Sequence, residues 1–227
     1  MPSLRRLWGG SMRHEEVFWD LIGGLEKANL LPCVMVVGSW AEYLYTFYFG
    51  EDYLPNLKSH DIDVFYGNPY LEVDGSEQLA TEMAKAGFLS PTEGGCLRAF
   101  YKEGLEVEFL ASQMGTGPGL VKIPNTEVVA EKLANTDMFK PLFVTARGYK
   151  IKVPSPASYL CHKLYINRER RPASKRPKDI EAVRLLLAYL QEQPEELMAL
   201  GAYIDSLSQE RRQRIRETAA AHGLLLP

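Results

Sequence analysis

The 227-residue sequence is notable first for what is scarce. It has three cysteines, Cys33, Cys96 and Cys161, an odd number set far apart and without C-x-x-C spacing. That pattern excludes a disulfide framework and a thiolate zinc site, and it fits a reducing, cytoplasmic setting. No apolar run approaches the roughly 18 residues that a membrane-spanning helix needs. The first residues, MPSLRRLWGGSMRHEEVF, carry arginines with no apolar stretch behind them, so no secretory signal is expected. Net charge is also small, −3 from 26 Lys+Arg and 29 Asp+Glu, which excludes a uniformly basic nucleic-acid coat. There is no internal repeat, no low-complexity segment and no G-x-S-x-G elbow that would make Ser39 a hydrolase nucleophile.

Hydrophobic residues make up 46% and charged residues 24%, the composition of a globular chain with a substantial core. The charge is unevenly placed. Residues 1–153 hold 14 Lys+Arg against 20 Asp+Glu, and residues 154–227 hold 12 against 9. Pro154 and Pro156 stop a strand-rich pattern, and all that follows reads as helix. The expectation is an α+β domain over 1–153, with a mixed β-sheet and flanking helices, followed by a helical bundle over 154–227.

Periodicity places a first helix over Met12–Lys27, where Val17, Leu21, Ile22 and Leu25 recur at helical spacing. Cys33–Val37 reads as a buried strand that passes through Gly38-Ser39 into an aromatic-rich helix, with Ser39 as its N-cap. A loop over Glu51–Ser59 precedes a strand at Asp61–Tyr66. A short helix over Gly75–Ala86 closes at Gly87. Glu103-Gly104 and Arg147-Gly148 each join two strands as hairpin turns, and Ser112–Gly119 reads as a glycine-rich loop. Four helices follow at Ala157–Asn167, Pro177–Gln191, Pro194–Leu207 and Ser208–His222.

Three features carry chemistry. In Asp61-Ile62-Asp63, strand alternation sends both carboxylates to one face and Ile62 to the core. Such acids repel unless a cation neutralises them, and a hard ion such as Mg²⁺ prefers carboxylate oxygen. Taken alone, the same pair also suits a solvated strand edge. The strand–Gly38-Ser39–helix turn offers close backbone approach and free N–H groups to an anion, although an ordinary capped turn has the same sequence. The segment Leu105–Leu110 alternates, and its Glu108, followed by Phe109-Leu110, matches Asp63 followed by Val64-Phe65. Glu108 is therefore chosen as a third acid, with Glu106 in reserve.

The order strand–Gly-Ser–helix, then Asp-x-Asp, then an acid on a later strand resembles the DNA polymerase β-like nucleotidyltransferase superfamily, over about Val34–Leu190. The likeness is nearest to small bacterial members of the toxin or abortive-infection kind. It implies that Gly38 and Ser39 hold a nucleoside triphosphate and that Asp61, Asp63 and Glu108 bind two Mg²⁺ ions. It further implies nucleotide-binding roles for Lys163, in His162-Lys163-Leu164, and Asp179, in Lys178-Asp179-Ile180. The implied activity is transfer of NMP, ATP being one donor, to a hydroxyl on an RNA end, a protein or a small molecule. A catalytically silent binding module of the same fold and a metal-dependent phosphohydrolase are the alternatives.

Other groups are assigned more simply. The cationic run Arg168–Lys178 suits a solvated loop or a guide for phosphates. Arg211, Arg212, Arg214 and Arg216 are expected on the wet face of the last helix. His60 and His162 are expected to be structural or exposed, and the Trp40–Phe49 aromatics to pack in the core.

Overall fold

The computed structural model describes residues 12–50, 52–55, 59–93, 96–114 and 117–227. Parts of the expected loop at 51–59 and of the glycine-rich loop at 112–119 lie outside them.

Helix α1 (Met12–Lys27) leads through a 3-10 turn into strand β1 (Val34–Val37), one residue shorter than expected. Helix α2 (Ser39–Phe49) follows, then β2 (Asp61–Tyr66), a 3-10 turn and α3 (Leu79–Lys85). Two-residue strands β3 (Thr92–Glu93) and β4 (Cys96–Leu97) precede β5 (Ala99–Lys102) and β6 (Leu105–Ser112). Two strands that periodicity did not indicate come next, β7 (Leu120–Lys122) and β8 (Val129–Leu133). A hairpin of β9 (Pro141–Ala146) and β10 (Tyr149–Pro154) leads into α4 (Pro156–Ile166), α5 (Lys175–Gln191), α6 (Pro194–Ser206) and α7 (Gln209–Ala221).

The main sheet runs β1-β2-β6-β8-β7, with β5 paired to β6 as well. It is mixed: β1–β2 and β5–β6 are antiparallel, whereas β2–β6 and β6–β8 are parallel. A parallel neighbour requires a crossover, and α3 lies in the connection between β2 and β6. The β5–β6 turn places both Glu103 (φ 49°) and Gly104 (φ 80°) in the left-handed region, the geometry of a tight type I′ hairpin. Arg147 (φ 49°) and Gly148 (φ 85°) repeat it between β9 and β10.

A mixed α/β architecture with a C-terminal helical bundle is thus what the chain forms. One hydrophobic cluster extends from Val17 on α1 through the sheet to Leu224 after α7, so the core continues past Pro154. The α2 aromatics are part of it. Trp40 is stacked on Phe18 with centroids 4.7 Å apart, and Tyr45 donates to the Pro154 carbonyl at 2.7 Å. Phe47 and Tyr48 are the exposed members.

The final helix departs from the expected wet face. Arg211 makes a two-pronged ion pair with Asp137 at 2.6 and 3.0 Å. Arg214 bonds Glu169 at 2.8 Å and lies 4.4 Å from the Tyr165 ring centre. These two cations pin α7 to α4 and to the turn before β9, because the guanidinium plane can bond and stack at once. Among the described residues, no helix is long and apolar enough to cross a membrane.

Candidate active site

The pairing of β1, β2 and β6 gathers the sequence motifs at one end of the sheet. Val37 is opposite Asp63 on β1–β2, so the turn after β1 comes alongside the second acid of the pair. On the other side, Asp61 is in register with Glu106 and Asp63 with Glu108. Paired residues share a face of the sheet, so the four acids stand on one face while Ile62 and Val107 are fully buried on the other.

Gly38 makes this closeness possible. Its backbone (φ 67°, ψ −153°) lies in a region open to glycine and costly for other residues. A methyl group at Gly38 would overlap the Asp63 carboxylate. Gly38 itself, not Ser39, occupies the N-cap position of α2, and Ser39 is the first helical residue with no cap bond. That corrects the sequence expectation: the glycine turns the chain one residue early. The Ser39 hydroxyl oxygen is buried and has no hydrogen-bond partner among the described residues.

Two adjoining hollows meet over these groups. One is bordered by Ser39, Asp61 and Asp63 with Lys175 and Lys178; the other by Asp63 and Glu108 with His162 and Arg171. Gly38, Lys163, Arg170, Lys175 and Asp179, like Asp63, border both. The cleft therefore has a carboxylate wall from the sheet and a cationic wall from α4, α5 and the segment between them.

Electrostatics follow from that division. Burial, and then the Asp61 charge, pushes the Asp63 carboxyl above its ordinary value, with Lys175, Arg170 and Lys163 offsetting part of the shift. The Glu108 carboxyl is likewise raised, by burial first and then by Asp63. The Glu106 carboxylate accepts a hydrogen bond from the Tyr101 hydroxyl at 2.7 Å.

On the opposite wall Lys163 donates to Asp179 at 2.7 Å, and Arg170 approaches the other Asp179 oxygen at 3.3 Å. Asp179 is thus a buried counter-ion that holds two cations. His162, expected to be structural or exposed, is buried in the cleft wall against Phe139, with ring centres 4.4 Å apart. Its burial, and then the Lys163 charge, lowers its pKa to about 3, so the imidazole is neutral at physiological pH. Its Nε2 has no partner among the described residues. His60 instead meets the His14 ring edge-on at 5.6 Å.

The carboxylate wall offers a hard divalent cation only oxygen donors, and its acids disfavour one another's ionisation, a cost that a cation relieves. Asp61, Asp63 and Glu108 stand as separate carboxylates along the wall. Among the described residues, no three Asp, Glu, His or Cys side chains are drawn into a closed chelate.

A protein-family model described as "Nucleotidyltransferase" matches residues 18–204. No curated protein sequence matches the chain. Similar solved structures include that of the antibiotic-resistance factor ANT(2'')-Ia in solution, at 14% identity over 94% of this chain and 97% of that one, with a TM-score of 0.49. ANT(2'')-Ia in complex with adenylyl-2''-tobramycin matches at 12% identity over 93% and 99%, also with a TM-score of 0.49. An antigenic nucleotidyltransferase-like protein from Paracoccidioides brasiliensis matches at 15% identity over 94% and 95%, with a TM-score of 0.48.

Proposed function

The chain belongs to the nucleotidyltransferase family, and we propose that it is a Mg²⁺-dependent enzyme that moves NMP from a nucleoside triphosphate to an acceptor hydroxyl, releasing pyrophosphate. The single observation that carries this reading is the facing of the two walls: Asp63, from the sheet, borders the same cleft as Lys163, from the helices.

In this reading Asp61, Asp63 and Glu108 hold two Mg²⁺ ions. Bound there, the metal supplies charge neutralisation for the attacking and leaving oxygens of an in-line displacement. The protein's own groups do the rest. The backbone N–H groups at Gly38-Ser39 and the free Ser39 hydroxyl bind phosphate oxygens. Lys163, held by Asp179, and Lys175 offset the triphosphate charge. Glu108 also borders a hollow over β5 and β6 with Glu106 and Tyr101, which in this reading would admit the acceptor.

The acceptor is an RNA end, a protein side chain or a small molecule, and ATP is the first donor to try. An RNA or protein acceptor would carry the toxin-like role that the resemblance implies, with a cognate antitoxin as partner. The test is incubation with each of the four NTPs, labelled at the α-phosphate, in cytoplasmic extract with Mg²⁺, followed by separation of RNA, protein and small molecules. Label retained in one fraction, and lost with both Asp61→Ala and Asp63→Ala, is the expected result. No retention with any NTP sinks the proposal. Release of free NMP or phosphate without an acceptor would make the protein a phosphohydrolase. Absence of Mg²⁺·NTP binding by calorimetry would make it a silent module.

A further inference from the structure

A buried acid that the proposed chemistry does not use lies one helical turn beneath the phosphate side of the cleft. Glu42, on α2, is 1% exposed, and its carboxylate accepts a hydrogen bond from the Tyr159 hydroxyl of α4. The two residues are placed in step with the site. Glu42 is three residues after Ser39, and Tyr159 is four residues before Lys163, so each shares a helix face with a cleft residue. The Lys163 ammonium lies 5.0 Å from the centre of the Tyr159 ring. Glu42, Ser39 and Lys163 border the same hollow.

Stability alone does not account for this pair. A buried carboxylate is costly to desolvate, and well-packed apolar side chains in its place are often neutral or stabilising. What the hydrogen bond adds is direction. It ties the first turn of α2 to the first turn of α4, while Asp179 holds Lys163 from α5 at 2.7 Å. Lys163 is thus located from two sides, by a ring below and a carboxylate beside it. Tyr45 steadies the Tyr159 ring edge-on at 5.9 Å.

We infer that the Glu42–Tyr159 pair is a positioning device that fixes Lys163 opposite the Gly38-Ser39 turn and so sets the width of the phosphate side of the cleft. The inference rests on the nucleotidyl-transfer reading for its ligand, the triphosphate, but the position of Lys163 can be read without any ligand.

The test uses the full chain with Tyr159→Phe, which removes the hydroxyl and keeps the ring, and Glu42→Met, which breaks the bond from the other side. Glu42→Gln, whose amide oxygen still accepts from Tyr159, is the conservative rescue. Two quantities are measured: calorimetric affinity for Mg²⁺·ATP and for adenosine, and the rate of Lys163 reductive methylation followed by mass spectrometry. Tyr159→Phe and Glu42→Met should weaken Mg²⁺·ATP about tenfold, the change that ~1.4 kcal/mol represents, with adenosine affinity unchanged. Lys163 should be methylated several-fold faster in both, and Glu42→Gln should restore both quantities to near the parent values. A lower Tm with an unchanged ATP-to-adenosine ratio and an unchanged methylation rate would make the pair purely structural and overturn the inference. If the parent protein binds no Mg²⁺·ATP, the transfer reading fails, and the methylation rates still decide whether the pair positions Lys163.

Discussion

Replacing Gly38 by alanine tests how tightly the turn and the acid are packed. Two costs combine there. The backbone (φ 67°, ψ −153°) is one that a residue with a Cβ adopts at about 1–3 kcal/mol. The added methyl group also overlaps the Asp63 carboxylate, which must then move. Gly104 provides the control, since it has φ 80° and no atom within 4 Å of an added Cβ, so only the left-handed backbone cost applies, about 1–2 kcal/mol. At roughly 2–4 °C per kcal/mol for a chain of this size, Gly104→Ala should lower Tm by about 2–8 °C. Gly38→Ala should lower it further. Transfer separates the two more sharply. Gly104→Ala should leave it near the parent rate, whereas Gly38→Ala should reduce it about a hundredfold, the penalty for displacing a reacting group by about 1 Å. Thermal melts and label transfer on the two variants give the comparison. Equal Tm losses with transfer preserved in both would refute the claim that Gly38 exists to admit the Asp63 carboxylate.

Three further outcomes are expected. Asp63→Asn should abolish transfer yet raise the metal-free Tm at pH 7, because it removes a buried charge that burial and Asp61 both disfavour; a lower Tm would contradict that account. Glu108→Gln should cut transfer about a hundredfold and Glu106→Gln by less than about threefold, since Glu106 is already bonded to Tyr101; the reverse order in a rate assay would exchange their roles. The Arg211 guanidinium holds the Asp137 carboxyl below its ordinary value, so its contribution is complete above the unfolded carboxyl pKa and is lost as pH falls through the lower folded value. Asp137→Asn should therefore cost stability at pH 7, by no more than about 1 kcal/mol for so exposed a pair, and the difference from the parent should vanish in melts on the acid side of that range.

Much of the fold could be read from the sequence because its signals are local. Alternation around Ile62 and Val107 and the turn pairs at Glu103-Gly104 and Arg147-Gly148 each fix a strand or hairpin without distant help. Strands β7 and β8 carry no such local signal. Leu120–Lys122 is largely exposed, and Val129–Leu133 carries Glu131-Lys132 in its middle, so neither alternates; β8 forms by pairing with β6, and β7 by pairing with β8. The site divides in the same way. Strand periodicity places Asp61 with Asp63 and Glu106 with Glu108 on one face each, and pairing sets Asp63 beside Glu108 and Asp61 beside Glu106. The partners of Lys163, Arg211 and Arg214 are set by tertiary packing, and no spacing rule links residue 163 to 179 or 211 to 137. Ser39 reads as a cap from sequence because only the backbone angle of Gly38 reveals where α2 begins. The burial of His162 depends on Phe139, which arrives from another part of the chain.

The two walls of the cleft come from separate stretches of the chain, acids from residues 61–108 and cations from residues 163–178. A nucleotide seated between them would touch both and so act as a clasp. By linkage, a ligand at a hundred times its Kd adds about 2.7 kcal/mol to folding stability. Here that gain would fall across the seam where sheet meets helices. Nucleotide binding would then reinforce, from the cleft side, a junction that the shared hydrophobic core already spans.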